Sequence, residues 1–121
     1  ARNLQTSHKQ WYFGKSLDGF TPIGPCIVTA DAFADYPPRL GIRSFVNGEK
    51  RQDSNTALQI FDIDHVIAEL SQGMTLKAGT IIATGTPAGV GMGMDPPQFL
   101  KPGDVVRCEI DGIGTLTNPV K

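Results

Sequence analysis

Gly41-Ile42-Arg43-Ser44-Phe45-Val46-Asn47-Gly48-Glu49-Lys50-Arg51-Gln52 is the stretch whose reading decides the fold. Asn-Gly is the preferred pair for a tight type I′ turn, in which both central residues need positive φ. The run before Asn47 and the polar run after Gly48 therefore form a two-stranded hairpin, with the polar strand expected at a sheet edge. Further along, Val106, Cys108 and Ile110 alternate with Arg107 and Glu109, which puts the apolar set on one face of a strand. Asp111-Gly112 turns that strand into residues 113–117, a second hairpin.

Between the hairpins, Ile63, Val66, Ile67 and Leu70 recur at helical spacing and predict one short α-helix. Asp62 is placed to cap its N-terminus, Asp64 suits the positive end of its dipole, and Gly73 suits the position just past its end. His65, Glu69 and Gln72 are expected to face water. Asp53-Ser54-Asn55-Thr56 reads as a polar linker, and Thr21-Pro22-Ile23-Gly24-Pro25 cannot be helical. Cys26-Ile27-Val28 reads as a short strand. The opening residues Ala1-Arg2-Asn3-Leu4-Gln5 carry no decided helix or strand signature. Leu76-Lys77-Ala78-Gly79-Thr80 and Leu100-Lys101-Pro102-Gly103-Asp104 look like one turn used twice, each feeding an apolar run. Short strands, two hairpins, one helix and many Gly and Pro describe a mainly β (α+β) domain.

The bulk properties narrow the function classes. A chain of 121 residues with 40% hydrophobic content suits a single globular domain with one core. Net charge −1, with the basic residues scattered, argues for no nucleic acid and no membrane partner. No apolar run approaches the roughly 18 residues of a membrane span. Two cysteines are too few for a disulfide framework, and Cys26 and Cys108 read as buried, unreactive thiols of a cytoplasmic protein.

The candidate site starts from residues 79–91. Ile81-Ile82-Ala83 reads as a buried strand that stops abruptly at Gly85-Thr86-Pro87, exposing the Thr86 hydroxyl where the strand ends. Gly85, Gly89, Gly91 and Gly93 would let backbone N–H groups approach a small anion. A nucleotide is excluded: no Gly-Lys-Ser/Thr closes the loop, and Gly91-Met92-Gly93-Met94 leads into Asp95-Pro96-Pro97 and not into a helix. Elsewhere, Gly14 and Ser16 bracket Lys15, which places it on a loop beside Trp11-Tyr12-Phe13.

Taken together, Ala1–Gln5, Gly14–Phe20 with Gly24-Pro25, and Ala83–Gly91 resemble the C-terminal half of the fumarylacetoacetate hydrolase family. Val46–Glu49, Gln52–Thr56 and residues 112–120 extend the likeness over residues 1–121. The resemblance implies a mixed β-sandwich roll and an enzyme, homodimeric as is common in the family. It implies small keto acid or diketo acid substrates, and acylpyruvate-type C–C hydrolysis, decarboxylation or isomerisation through a stabilised enolate. Lys15 matches the family lysine that stabilises enolate charge, Arg2 and Gln5 match positions at the polar end of the substrate, and Thr86 matches the carboxylate-receiving hydroxyl. The family's divalent metal, Mg or Mn, has acidic ligands that the likeness places ahead of Ala1, as it does the His/Glu pair thought to activate water. No cluster of metal-ligand spacing is read within the chain. On that footing these residues are a C-terminal portion of a catalytic domain with its N-terminal part absent. The alternative is a catalytically incomplete binding or assembly module of the same fold.

Overall fold

The computed structural model describes all residues, Ala1–Lys121. It places four strands in one antiparallel sheet: β1 (Gly41–Val46), β2 (Glu49–Asn55), β3 (Val105–Ile110) and β4 (Gly114–Pro119), in the order β2-β1-β3-β4. Both hairpins form where the turn chemistry puts them. Asn47 and Gly48 have φ of 51° and 83°, and the polar β2 is an edge strand. Asn47 also does something that turn preference does not describe. Its backbone N–H donates to the Val105 carbonyl at 2.9 Å, its amide donates to Asp104 at 2.8 Å, and its side-chain oxygen accepts from the Val105 N–H at 2.9 Å. The first turn thereby locks the start of the second hairpin onto the first. At the other end of β1, the Arg43 guanidinium grips Asp111 through two nitrogens, at 2.8 and 3.3 Å.

The mainly β class holds, but the expectation of one helix is corrected. Residues at the start of the chain form α1 (Arg2–His8) and α2 (Trp11–Lys15), and the periodic segment forms α3 (Ile63–Ser71). Asp62 caps α3 as expected, accepting from the His65 N–H at 2.7 Å, while Gly73 has no positive φ. None of these helices is long and apolar enough to cross a membrane. The paired turns are also real: Lys77 accepts from Thr80 and Lys101 from Asp104, each at 3.0 Å, with Gly79 and Gly103 at φ 84° and 94°. These are type II turns, where glycine supplies the positive φ.

Other expectations fail for a shared reason. Residues 81–83 and 26–28 pair with no strand, Ile81 and Ile27 are 67% and 81% exposed, and both cysteines are exposed. The polar stretch 53–55 is not a linker but the end of β2. No hydrophobic residue is buried, and the accessible surface is 9422 Å². A compact monomer of this mass exposes about 6,300 Å². Apolar periodicity reports that a residue has a covered environment, and these 121 residues do not themselves supply the cover.

Candidate functional site

The helical pair at the start of the chain gathers three of the four candidate residues. Trp11 and Lys15 lie one turn apart on α2, and the Lys15 ammonium sits 5.1 Å from the centre of the Trp11 ring. The Arg2 guanidinium approaches the same ring at 5.9 Å and donates to Gln5 Oε1 at 2.7 Å. Lys15 is thus the last residue of a helix and not part of a loop, and it owes its place to Trp11. Gln5 and Gly14 are the buried residues of the chain, and each explains the other. A Cβ added at Gly14 would lie 2.6 Å from Gln5 Cγ and 2.9 Å from the Ala1 carbonyl oxygen, so only glycine lets α2 lie this close to α1. His8 meets Phe13 edge-on at 5.6 Å and closes the other end of the pair.

The hydrogen-bond chemistry of this cluster is one-sided. Arg2 and Lys15 have only donors, and the Gln5 carbonyl oxygen is taken up by Arg2, which leaves its NH2 as the group on offer. Such a surface suits an oxygen-rich anion.

Thr86 is held by a different set of contacts. It lines an open cavity of about 560 Å³ together with Ile42, Phe61, Val66 and Thr84. Gln52 Nε2 reaches its Oγ1 at 2.8 Å and the Pro87 carbonyl at 2.9 Å. Gln59 Nε2 similarly reaches Thr84 Oγ1 at 3.0 Å. No side-chain hydrogen bond, ion pair or ring contact joins Thr86 to Arg2, Gln5 or Lys15. Gly85 and Gly89 have the expected positive φ, 106° and 100°, and Gly85 has open space around it. Cβ atoms at Gly89 and Gly91 would collide with the carbonyl oxygens of Arg51 and Gln98, so these two positions also let backbone lie against backbone.

Gln52, Ser44 and Arg51 went unnoticed in the sequence, and a β-bulge is the reason. Ser44 pairs with Gln52 but Phe45 with Lys50, so Arg51 is an extra residue in β2. Strict alternation would send Arg51 and Gln52 to opposite faces. Instead both reach the glycine-rich segment, Arg51 through Met94 and Gln98, Gln52 through Thr86 and Pro87. Nothing in the local sequence announces that register shift.

Asp53, Asp104 and Asp111 are occupied in holding the sheet. Hydrogen bonds from Arg43, Lys50 and Asn47 hold the carboxyls of Asp111, Asp53 and Asp104, respectively, below the ordinary range, and no group of three or more His, Cys, Asp or Glu side chains converges. The donors present here do not make a divalent metal site. His65 is exposed and stacks on Phe61 at 4.7 Å.

A four-stranded antiparallel sheet with a few short helices defines an α+β domain. The chain belongs to the fumarylacetoacetate hydrolase family: the family model for the "Fumarylacetoacetate (FAA) hydrolase C-terminal" region matches residues 1–121. It is 51% identical over 120 residues to oxaloacetate tautomerase YisK of Bacillus subtilis (strain 168), covering 99% of this chain and 40% of that protein. Among solved structures it is similar to a fumarylacetoacetate hydrolase from psychrophilic Exiguobacterium antarcticum, at 55% identity and TM-score 0.93, covering 100% of this chain and 43% of that one. It is also similar to the maleylpyruvate hydrolase of Sphingobium sp. SYK-6 in complex with manganese(II) and pyruvate, at 44% identity and TM-score 0.78, covering 89% and 38%. The chain thus spans well under half the length of these relatives.

Proposed function

We propose that these residues form the anion-gripping wall of an enzyme that acts on small keto or diketo acids through an enol or enolate. Tautomerisation of oxaloacetate is the leading reaction, since a relative sharing half the chain's residues carries that name. The observation that carries this reading is the donor-only cluster of Arg2, Gln5 and Lys15 around Trp11. In tautomerisation a proton leaves C3 of the keto acid and one is added at the carbonyl oxygen, so negative charge builds on that oxygen between the two events. The Lys15 ammonium, held by the Trp11 ring, stabilises that charge, and Arg2 and Gln5 anchor a carboxylate. Thr86 receives the other anionic end. Acylpyruvate hydrolysis needs the same enolate with water added at the distal carbonyl, and the manganese- and pyruvate-bound hydrolase supports it as the second reading. A divalent cation, Mg or Mn, belongs to this proposal only as a group held by residues outside these 121.

The test is kinetic and uses the intact protein. Replacing Lys15 by Met should lower kcat/KM for oxaloacetate tautomerisation, or for acylpyruvate cleavage if that is the reaction, by about 100-fold, the scale of losing one preorganised electrostatic group. Unchanged kcat/KM on both substrates would remove Lys15 from the chemistry. Absence of turnover by the unaltered intact protein on either would favour a binding module.

A further inference from the structure

Gln52 excludes one direction for the hydrogen of the Thr86 hydroxyl, the one toward itself. A backbone carbonyl oxygen can only accept, so the end of the Gln52 side chain that lies 2.9 Å from the Pro87 oxygen must be its NH2. That group has two hydrogens, and the second is directed at Thr86 Oγ1, 2.8 Å away. The other end of the amide is also spoken for, because Ser44 Oγ lies 2.8 Å from Gln52 Oε1 and donates to it. Flipping the amide would set two carbonyl oxygens against each other, so the orientation follows from the partners alone. Thr86 Oγ1 is therefore an acceptor toward Gln52. Its own hydrogen has no acceptor in the chain and is left for whatever enters the cavity.

We propose that Gln52 is a positioning residue that keeps the Thr86 hydroxyl hydrogen free to be donated to the carboxylate of the keto acid. This rests on the reading of Thr86 given above. The bonds run in one direction, from Ser44 to Gln52 and from Gln52 to Thr86, then outward to the ligand, and each polarises the next. Two features of the fold build the relay. Cross-strand pairing sets Ser44 beside Gln52, and the bulge at Arg51 turns Gln52 toward the loop that carries Thr86. The site accordingly keeps the Thr86 hydrogen for an accepting group such as a carboxylate oxygen, since Gln52 already fills one of the two acceptor positions of Oγ1.

A double-mutant cycle in the intact protein tests this, with oxalate as the titrant and calorimetric affinity as the readout. Thr86→Val should weaken oxalate binding by about 10- to 100-fold, the range for a hydrogen bond to a charged group. Gln52→Met should weaken it by about 10-fold when Thr86 is present, and by less than about 3-fold once Thr86→Val has removed the hydroxyl. Gln52→Glu, which keeps the shape of the side chain but invites the Thr86 hydrogen inward, should cost at least as much as Gln52→Met and serves if the Met variant does not fold. Equal losses from the Gln52 variants in both backgrounds would mean that Gln52 merely braces the loop, which overturns the proposal and leaves the Thr86 reading intact. Unchanged oxalate affinity in Thr86→Val would overturn both.

Discussion

Gly14→Ala is the perturbation whose sign depends most directly on the structure. By helix propensity alone the change in α2 should stabilise, since alanine outranks glycine by about 1 kcal/mol in a helix interior. Gly14 has no positive φ, so the backbone raises no objection. The space does. The added methyl would sit 2.6 Å from Gln5 Cγ and 2.9 Å from the Ala1 carbonyl oxygen, and relieving both contacts requires α1 and α2 to separate. Overpacking of this kind costs about 1–3 kcal/mol, so against the gain of about 1 kcal/mol the net effect should be a loss of up to about 2 kcal/mol. The functional loss should be larger. Gln5 and Arg2 would shift by roughly an ångström relative to Lys15, a misplacement that costs about 100-fold in rate. Denaturant unfolding of the intact protein and kcat/KM on its keto acid measure the two effects. Gly73→Ala, with no atom within 4 Å of the new methyl, is the control and should be neutral or slightly stabilising. If Gly14→Ala were as stable and as active as the parent, the close approach of α1 and α2 would not be what holds the cluster.

Two further outcomes follow from local chemistry. Asp62→Ala removes the side chain that accepts from the His65 N–H and should cost about 1 kcal/mol in urea unfolding, with Asp62→Ser recovering most of it. The carboxyls of Asp53, Asp104 and Asp111 bind protons less readily folded than unfolded, because of Lys50, Asn47 and Arg43. Their contribution should therefore be complete above about pH 4, the ordinary carboxylate range, and be lost as pH falls below it through the lowered folded-state values. Asp53 and Asp111 are exposed and Asp104 is half-buried, so the effect should be small and salt-sensitive, and Arg43→Met should make the acid limb of the urea midpoint shallower.

The two hairpins, the α3 cap and the paired glycine turns were legible because each is settled within a few residues. Asn47-Gly48, Asp62 and Gly79 carry their conformational preferences wherever they stand. The family likeness was legible for a related reason, as its motifs are short runs of such residues. Burial was misread at Cys26, Ile81 and Cys108, since an apolar pattern states what a residue needs and not whether neighbours provide it. What only the tertiary structure decided depends on contacts between distant segments. Gly14 against Gln5 sets α2 on α1, and the indole of Trp11 collects Arg2 and Lys15. The bulge at Arg51 brings Gln52 to Thr86, 34 residues further along the chain. A bulge is chosen by how two strands pair and not by either strand's composition, so the sequence by itself named Thr86 while only the folded sheet could show which side chain hydrogen-bonds to it.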